Sequence, residues 1–135
     1  MAGDLSCQII GCNDGTERRG RRAAWQAAVL REIDDLIAAR GLSAVTVGRR
    51  LGITARYVHL LLEDTGQSFS QLVLAKRLER AAGLLRAQEQ PTRKISEIAS
   101  ACGFGDLSYF NRVFRKRYGR TPSDFRKAAN LHGGN

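Results

Sequence analysis

The sequence predicts an all-α protein in which one helix-break-helix pattern occurs twice. Apolar residues recur at three- and four-residue steps along most of the chain, as they do in amphipathic helices. No segment shows the two-residue alternation or the β-branched richness of a strand. Residues that commonly begin or end helices separate the apolar segments. With 135 residues, the chain suits one compact unit, and this pattern divides it into about seven helices.

The first half of the chain contains three predicted helices. Helix one is predicted over about 23–40, before a glycine suited to ending it. A second helix follows Ser43 and a third follows Thr54, because a hydroxyl at either position can cap a helix start. Gly52 breaks the chain between these two helices. Residues 45–66 therefore form the first predicted helix-turn-helix unit.

The second half begins with the longest predicted helix and then repeats the pattern. A helix over about 68–88 is ended by Pro91, which cannot continue it. The second predicted helix-turn-helix unit covers about 95–118, and Pro122 opens a last short helix. Residues 131–135 are expected to be a disordered C-terminus.

A structured domain is expected over 23–130, preceded by a segment of different composition. Residues 1–22 are rich in glycine and small polar residues and end in the basic run Arg18, Arg19, Arg21 and Arg22. This composition predicts a flexible tail or the remnant of a preceding domain. The basic run is either incidental to such a remnant or an arm that touches DNA, and the sequence supports both interpretations equally.

The two copies share the features that a helix-turn-helix requires. Gly48 in the first copy and Ala99 in the second are small residues where two helices cross, and Gly52 and Gly103 supply the turns. An ordinary helical hairpin would explain one such copy, but two copies with a shared spacing favour paired DNA-binding units. The 21 residues of 68–88 would span roughly 30 Å at ~1.5 Å per residue. One DNA turn measures ~34 Å, so one chain is expected to place two recognition helices in successive major-groove segments.

The charge of the chain favours a polyanionic partner. Its net charge is +9, and residues 107–127 carry seven basic side chains against Asp124 alone, a net +6. Such a cluster favours phosphate binding, whereas a merely solvated face normally mixes both signs. Five residues are candidate phosphate contacts: Thr54, Arg115, Lys116, Arg117 and Arg120.

The sequence offers no constellation for catalysis, a metal or a cofactor. Cys7, Cys12 and Cys102 lack paired spacing, and Cys102 occupies an apolar position typical of a buried, inert thiol. His59 and His132 share no ligand spacing with them. We therefore expect neither an enzyme nor a metal protein, although DNA-alkylation repair proteins can join similar modules to a reactive cysteine. No run is long and apolar enough for a membrane span or a secretory signal, so a cytoplasmic, nucleoid-associated location is expected.

Several segments resemble the C-terminal DNA-binding domain of the arabinose-regulator (AraC/XylS) family of transcription regulators. The resemblance covers roughly 24–129 and implies seven helices, with two homeodomain-like helix-turn-helix units flanking a linker helix. It rests on Arg77-Leu78 with Ala81 and Leu84-Leu85, Ile95-Ser96-Glu97-Ile98-Ala99, Cys102-Gly103-Phe104, Ser108 to Lys116, and Gly119-Arg120-Thr121-Pro122 with Phe125-Arg126.

The resemblance also implies which residues face the bases. Arginine can donate two hydrogen bonds to guanine, asparagine can read adenine or a phosphate, and leucine can touch a thymine methyl. Departures from the family pattern at Leu60, Leu62, Glu63 and Asp64 predict that the second unit dominates affinity. By position, the base-facing residues are Arg56, His59 and Leu60 in the first unit, and Leu107, Ser108, Asn111 and Arg112 in the second, with Arg56 and Arg112 the leading candidates.

The expected function is sequence-specific binding of double-stranded promoter DNA in bacterial transcription regulation, with activation the family's commoner role. RNA polymerase is an expected partner, and an effector-binding or dimerisation domain would lie outside this chain, which is either a fragment or a stand-alone regulator. A nonspecific nucleoid protein is the alternative, since it would share the basic surface. A protein-interaction module is a further alternative, because the run Leu60 to Leu62 is expected to leave one leucine exposed.

Overall fold

A computed structural model describes residues 13–87 and 92–133, and these residues form seven α-helices and no strand. The all-α prediction is confirmed. The helices are α1 (Asn13–Asp35), α2 (Ala44–Leu51), α3 (Ala55–Glu63), α4 (Phe69–Arg86), α5 (Ile95–Ala101), α6 (Leu107–Tyr118) and α7 (Pro122–Gly133).

The predicted caps of the first half are present in the structure. The hydroxyl oxygen of Ser43 accepts a hydrogen bond from the Thr46 backbone N–H at the start of α2. Thr54 does the same for α3, accepting from the Tyr57 N–H. At α4 the Ser68 hydroxyl and the side chain of Gln71 form a reciprocal capping box. Side-chain oxygens thus satisfy amide groups that would otherwise lack partners in the first turns.

Helix α1 differs from its predicted bounds at both ends. It begins at Asn13 rather than near residue 23, because two glycines cost a helix only about 1 kcal/mol each and strong helix formers surround them. It ends at Asp35 rather than near residue 40, and turns follow. The tail predicted over 1–22 is therefore helical from residue 13, and its first twelve residues lie outside the described residues.

The linker and the C-terminus also differ from prediction. Helix α4 has 18 residues, which corresponds to about 27 Å rather than roughly 30 Å. Residues 88–91, where Pro91 was expected to end the helix, lie outside the described residues. Helix α7 continues to Gly133, beyond the predicted start of disorder at residue 131. The alanines that precede this point favour helix, and this preference explains the extension.

The helices enclose two separate hydrophobic cores, one for each helix-turn-helix unit. Helix α4 contributes its first half to one core and its second half to the other. The first core contains Val29, Ile33, Ile37, Ala44, Val47, Val58, Leu61, Leu62, Phe69, Leu72 and Val73. The second contains Leu78, Ala81, Ala82, Leu85, Ile98, Ala99, Cys102, Phe104, Phe110 and Phe114.

Arg77, in the middle of α4, connects the two units. Its Nε donates to the Ile37 carbonyl at 2.9 Å and its Nη2 donates to the Ala39 carbonyl at 2.8 Å. These carbonyls belong to the turns that follow α1. Burial lowers the pKa of the Arg77 guanidinium, and the two carbonyl partners offset its loss of hydration.

Candidate nucleic-acid interface

A close crossing of α2 and α3 fixes the first candidate recognition helix. Gly48 lies so near the turn that a Cβ atom there would meet the Ile53 carbonyl oxygen at 2.5 Å. The predicted role of Gly48 as the small crossing residue is thereby explained. The apolar side of α3 is anchored in the first core by Val58, Leu61 and Leu62.

The opposite side of α3 presents the three candidate base-reading residues. Arg56, His59 and Leu60 are all exposed, with 39% of Leu60 accessible. The His59 ring also lies edge-on to Phe69, with ring centroids 6.3 Å apart. Leu60 is the leucine that the run Leu60 to Leu62 was expected to leave outside the core, since its two neighbours are buried.

The second candidate recognition helix, α6, begins at an acidic cap and is anchored by aromatic residues. The Asp106 carboxylate accepts hydrogen bonds from the backbone N–H groups of Ser108 and Tyr109. Phe110 and Phe114 are fully buried in the second core. Anchoring on that side leaves the four predicted base-reading residues exposed on the other: Leu107, Ser108, Asn111 and Arg112.

Tyr109 is a surface residue that sequence reasoning did not single out. The residue is 38% exposed, and the Arg112 guanidinium lies over its ring, 5.3 Å from the ring centroid. Such a cation–π contact orients the Arg112 side chain in the free protein. Less side-chain entropy is therefore lost when a ligand binds. The spacing of three residues between an aromatic and an arginine on one helix was the available signal.

The predicted phosphate contacts do not all have the same freedom. Arg115, Lys116 and Arg120 are exposed. Arg117, in contrast, donates to the Glu79 carboxylate on α4 at 3.2 Å. The Thr54 hydroxyl oxygen serves as the cap of α3, which leaves its O–H as the donor for any phosphate.

One of the two acidic residues noted in the first unit, Asp64, is ion-paired in the structure. Arg22 on α1 donates to the Asp64 carboxylate at 2.9 Å, and this contact raises the pKa of the arginine. The Asp64 charge is therefore offset within the protein. Glu63 remains exposed on α3.

The described residues hold no cluster suited to metal binding, and their one cysteine is buried. Among them, no three His, Cys, Asp or Glu side chains are grouped as a metal site. Cys102 is fully buried, and burial raises the pKa of its thiol. A buried thiol that holds its proton is a poor nucleophile. Within the same residues, no helix has the length and hydropathy to cross a membrane.

Comparison with known proteins gives a consistent result. A family described as a helix-turn-helix domain matches residues 47–128. The transcriptional activator RhrA of Rhizobium meliloti (strain 1021) is 40% identical over 103 residues, which is 76% of this chain and 32% of that protein. The chain thus spans about a third of the length of this curated relative.

Solved structures share the fold. A DNA-binding transcriptional dual regulator from Escherichia coli K-12 has a TM-score of 0.70 and 26% identity, over 78% of this chain and 92% of that one. A transcriptional regulator from Chromobacterium violaceum, described with AraC-type DNA-binding domain-containing proteins, has a TM-score of 0.68 and 26% identity, over 76% and 89%.

Proposed function

The chain belongs to the AraC-type helix-turn-helix family, and from that premise we propose that it reads an asymmetric site in two successive major-groove segments of one duplex. Helix α3 would enter one segment and α6 the next. Members of this family are DNA-binding transcription regulators and not enzymes. The proposal therefore concerns how this chain binds DNA and how binding alters transcription.

The observation that carries the proposal is a pair of outward-facing helices on one connected frame. Arg56 on α3 and Arg112 on α6 are both exposed and lie opposite well-packed cores. An arginine in this position can donate two hydrogen bonds to guanine O6 and N7. Arg77 joins the two units, so their relative orientation is constrained before DNA binds. A monomer with this arrangement needs no palindromic site.

Selection of binding sites from randomised DNA at near-physiological salt tests this proposal. The affinity of the best site is then compared with that of scrambled DNA by fluorescence anisotropy. A ratio above about 10³ with a motif over two groove segments supports the proposal. A motif one groove long would show that only one unit reads bases, and a ratio near one would favour a nonspecific nucleoid protein.

A matched pair of variants tests the division between base reading and phosphate binding. Arg112→Ala should cost about 1–3 kcal/mol on the selected site and relax the preference at one base pair. Lys116→Ala, on the same helix, should weaken all sequences similarly and reduce the salt dependence of log Kd by about 1. Equal effects on selected and scrambled DNA for both variants would contradict the assignment.

The effect of binding on transcription is inferred from the relatives of this chain. RhrA is named a transcriptional activator, which supports activation as the outcome of binding by this chain. RNA polymerase is then the partner that the bound protein recruits. An effector-binding or dimerising domain outside this chain would control it, and the site of action is the nucleoid DNA of the cytoplasm. Reporter transcription from a promoter carrying the selected site, with and without the protein, distinguishes activation from repression.

A further inference from the structure

A cluster of arginines and aromatic rings lies where α1 meets α3, and all but one of its residues lie outside the residues that the family matches. It forms a shallow pocket of about 280 Å³. Most of its residues precede residue 47, where the matched segment begins. The residues that line it are Arg18, Arg21, Arg22, Trp25 and Tyr57.

From this cluster we propose a phosphate site for the backbone of duplex DNA, with Arg18 and Arg21 as its principal donors. The site would bind the strand that runs along one flank of the major-groove segment entered by α3. The proposal rests on the function proposed above, because it requires α3 to enter that groove. It adds α1 to the DNA-binding surface.

The backbone that carries the cluster is held in place because hydrogen bonds join α1 to the C-terminal end of α3. The Arg22 guanidinium donates through Nη2 to the Leu60 carbonyl at 3.0 Å and through Nε to Asp64 at 2.9 Å. Gln26 donates from Nε2 to the Leu61 carbonyl at 2.8 Å. These contacts join residues about 40 positions apart in the sequence and hold the arginine-bearing turns beside the recognition helix.

The orientation of α3 directs the cluster toward a DNA strand. Tyr57 follows Arg56 directly, so it lies about 100° around the helix from the centre of the base-facing side. The major groove is about 12 Å wide, and a helix with its side chains is about 10–12 Å across. The flanks of an inserted helix therefore lie beside the phosphates. Tyr57 marks one such flank, and the arginines of α1 lie against it.

The chemistry of the cluster suits a phosphodiester. In the part of the chain that the structure describes, no carboxylate is ion-paired to Arg18 or Arg21. Arginine presents a planar set of donors that matches two phosphate oxygens. The pocket has room for one backbone phosphate. Trp25 and Tyr57 supply flat apolar surface for the adjoining sugar or the guanidinium planes.

The test removes two charges at the cluster and, in a control, two charges elsewhere on the same helix. The test variant is Arg18→Ala/Arg21→Ala. The control is Arg19→Ala/Arg31→Ala, whose side chains are exposed but do not line the pocket. Alanine is the strongest helix former, so both variants should keep α1 folded, and circular dichroism verifies this. Affinity for the selected site is measured from low to near-physiological salt.

The test variant should bind about tenfold more weakly than the wild type, and its salt slope should fall by about 1 to 2. The control should lose less than half as much binding free energy, and its salt slope should fall by less than half as much. Equal losses in the two variants would overturn the proposal, because they would reflect overall charge rather than a local site. A wild type without preference for any selected site would instead refute the proposed function. If the wild type binds specifically and the test variant keeps its slope, only the arginine site is refuted.

Trp25 offers a second and independent readout, since it is the only tryptophan in the chain. Unlabelled operator DNA at saturation should change its fluorescence in the wild type and in Lys116→Ala. Saturated Arg18→Ala/Arg21→Ala should show a much smaller change, because the strand no longer reaches the pocket. An unchanged emission in the saturated wild type would overturn the proposal.

Discussion

Replacing Gly48 with alanine should destabilise the protein, although alanine is the better helix former. A Cβ atom at Gly48 would lie 2.5 Å from the Ile53 carbonyl oxygen and 3.3 Å from the Thr54 carbonyl carbon. Ordinary contact begins near 3.4 Å, so the turn before α3 must withdraw by about 0.9 Å. Both opposing atoms are backbone, and a rotamer change cannot relieve the contact. Overpacking of this kind typically costs about 1–3 kcal/mol.

Gly83 is the matched control because it lies within α4, is exposed, and would place a Cβ atom with no other atom within 4 Å. There the change should stabilise by up to about 1 kcal/mol through helix propensity alone. At Gly48 the same gain in helix propensity opposes the free-energy cost of the clash, which we place at the upper end of its range. The net loss of stability is therefore about 2 kcal/mol.

Urea unfolding followed by circular dichroism measures both free energies. Gly48→Ala should unfold at lower urea than the wild type and Gly83→Ala at higher urea, with the slope m unchanged in each. Gly48→Ala should also weaken binding through the first unit, since α3 is displaced. If the two variants prove equally stable, the close crossing does not limit the side chain at residue 48, and the reasoning fails.

Two further predictions concern a helix cap and a thiol. Ser68→Ala removes the capping box of α4 and should lower the free energy of unfolding by about 1 kcal/mol. The control, Ser70→Ala in the same turn, should change that free energy little. Equal losses in the two variants would count against the cap. In a Cys7→Ser/Cys12→Ser background, Cys102 should react with a thiol reagent at least about a hundredfold more slowly when folded than in urea. Because burial raises the pKa of Cys102, this ratio should narrow as pH rises past about 8.5, where the unfolded thiol is already ionised and only the folded thiol still gains thiolate. Fast reaction of the folded protein at lower pH would refute its burial.

Local sequence signals predicted most of the fold. Ser43 and Thr54 cap the helices they were expected to cap, because a cap depends on residues within three positions of one another. The base-facing residues proposed for α6 are exposed for a similar reason, since Phe110 and Phe114 fix which side is buried. Whether those residues read bases remains a prediction.

Contacts between distant residues were beyond the reach of the same signals. The pairing of Arg22 with Asp64 spans 42 positions, and nothing in the local pattern indicates it. The pairing gives the negative charge of Asp64 a partner within the protein, and whether the second unit dominates affinity stays a prediction. The start of α1 at Asn13 was missed because glycines were interpreted as helix breakers. Glycine weakens a helix, but neighbouring residues and tertiary contacts decide whether one forms.

The join between the two units depends on few contacts, and these contacts give the turn glycine of the second unit an additional role. Lys76 and Asp34 form an ion pair whose carboxylate is exposed to solvent, so it contributes little. Arg77 is partly buried and makes two hydrogen bonds to carbonyls of the first unit. Gly103, in the turn of the second unit, has a φ of +93°, and a Cβ there would meet the Ile37 carbonyl oxygen at 2.8 Å and Arg77 Nε at 2.9 Å. A side chain at Gly103 would therefore strain the turn and also separate the second unit from the first, so the requirement for glycine arises from inter-unit packing as well as from backbone conformation.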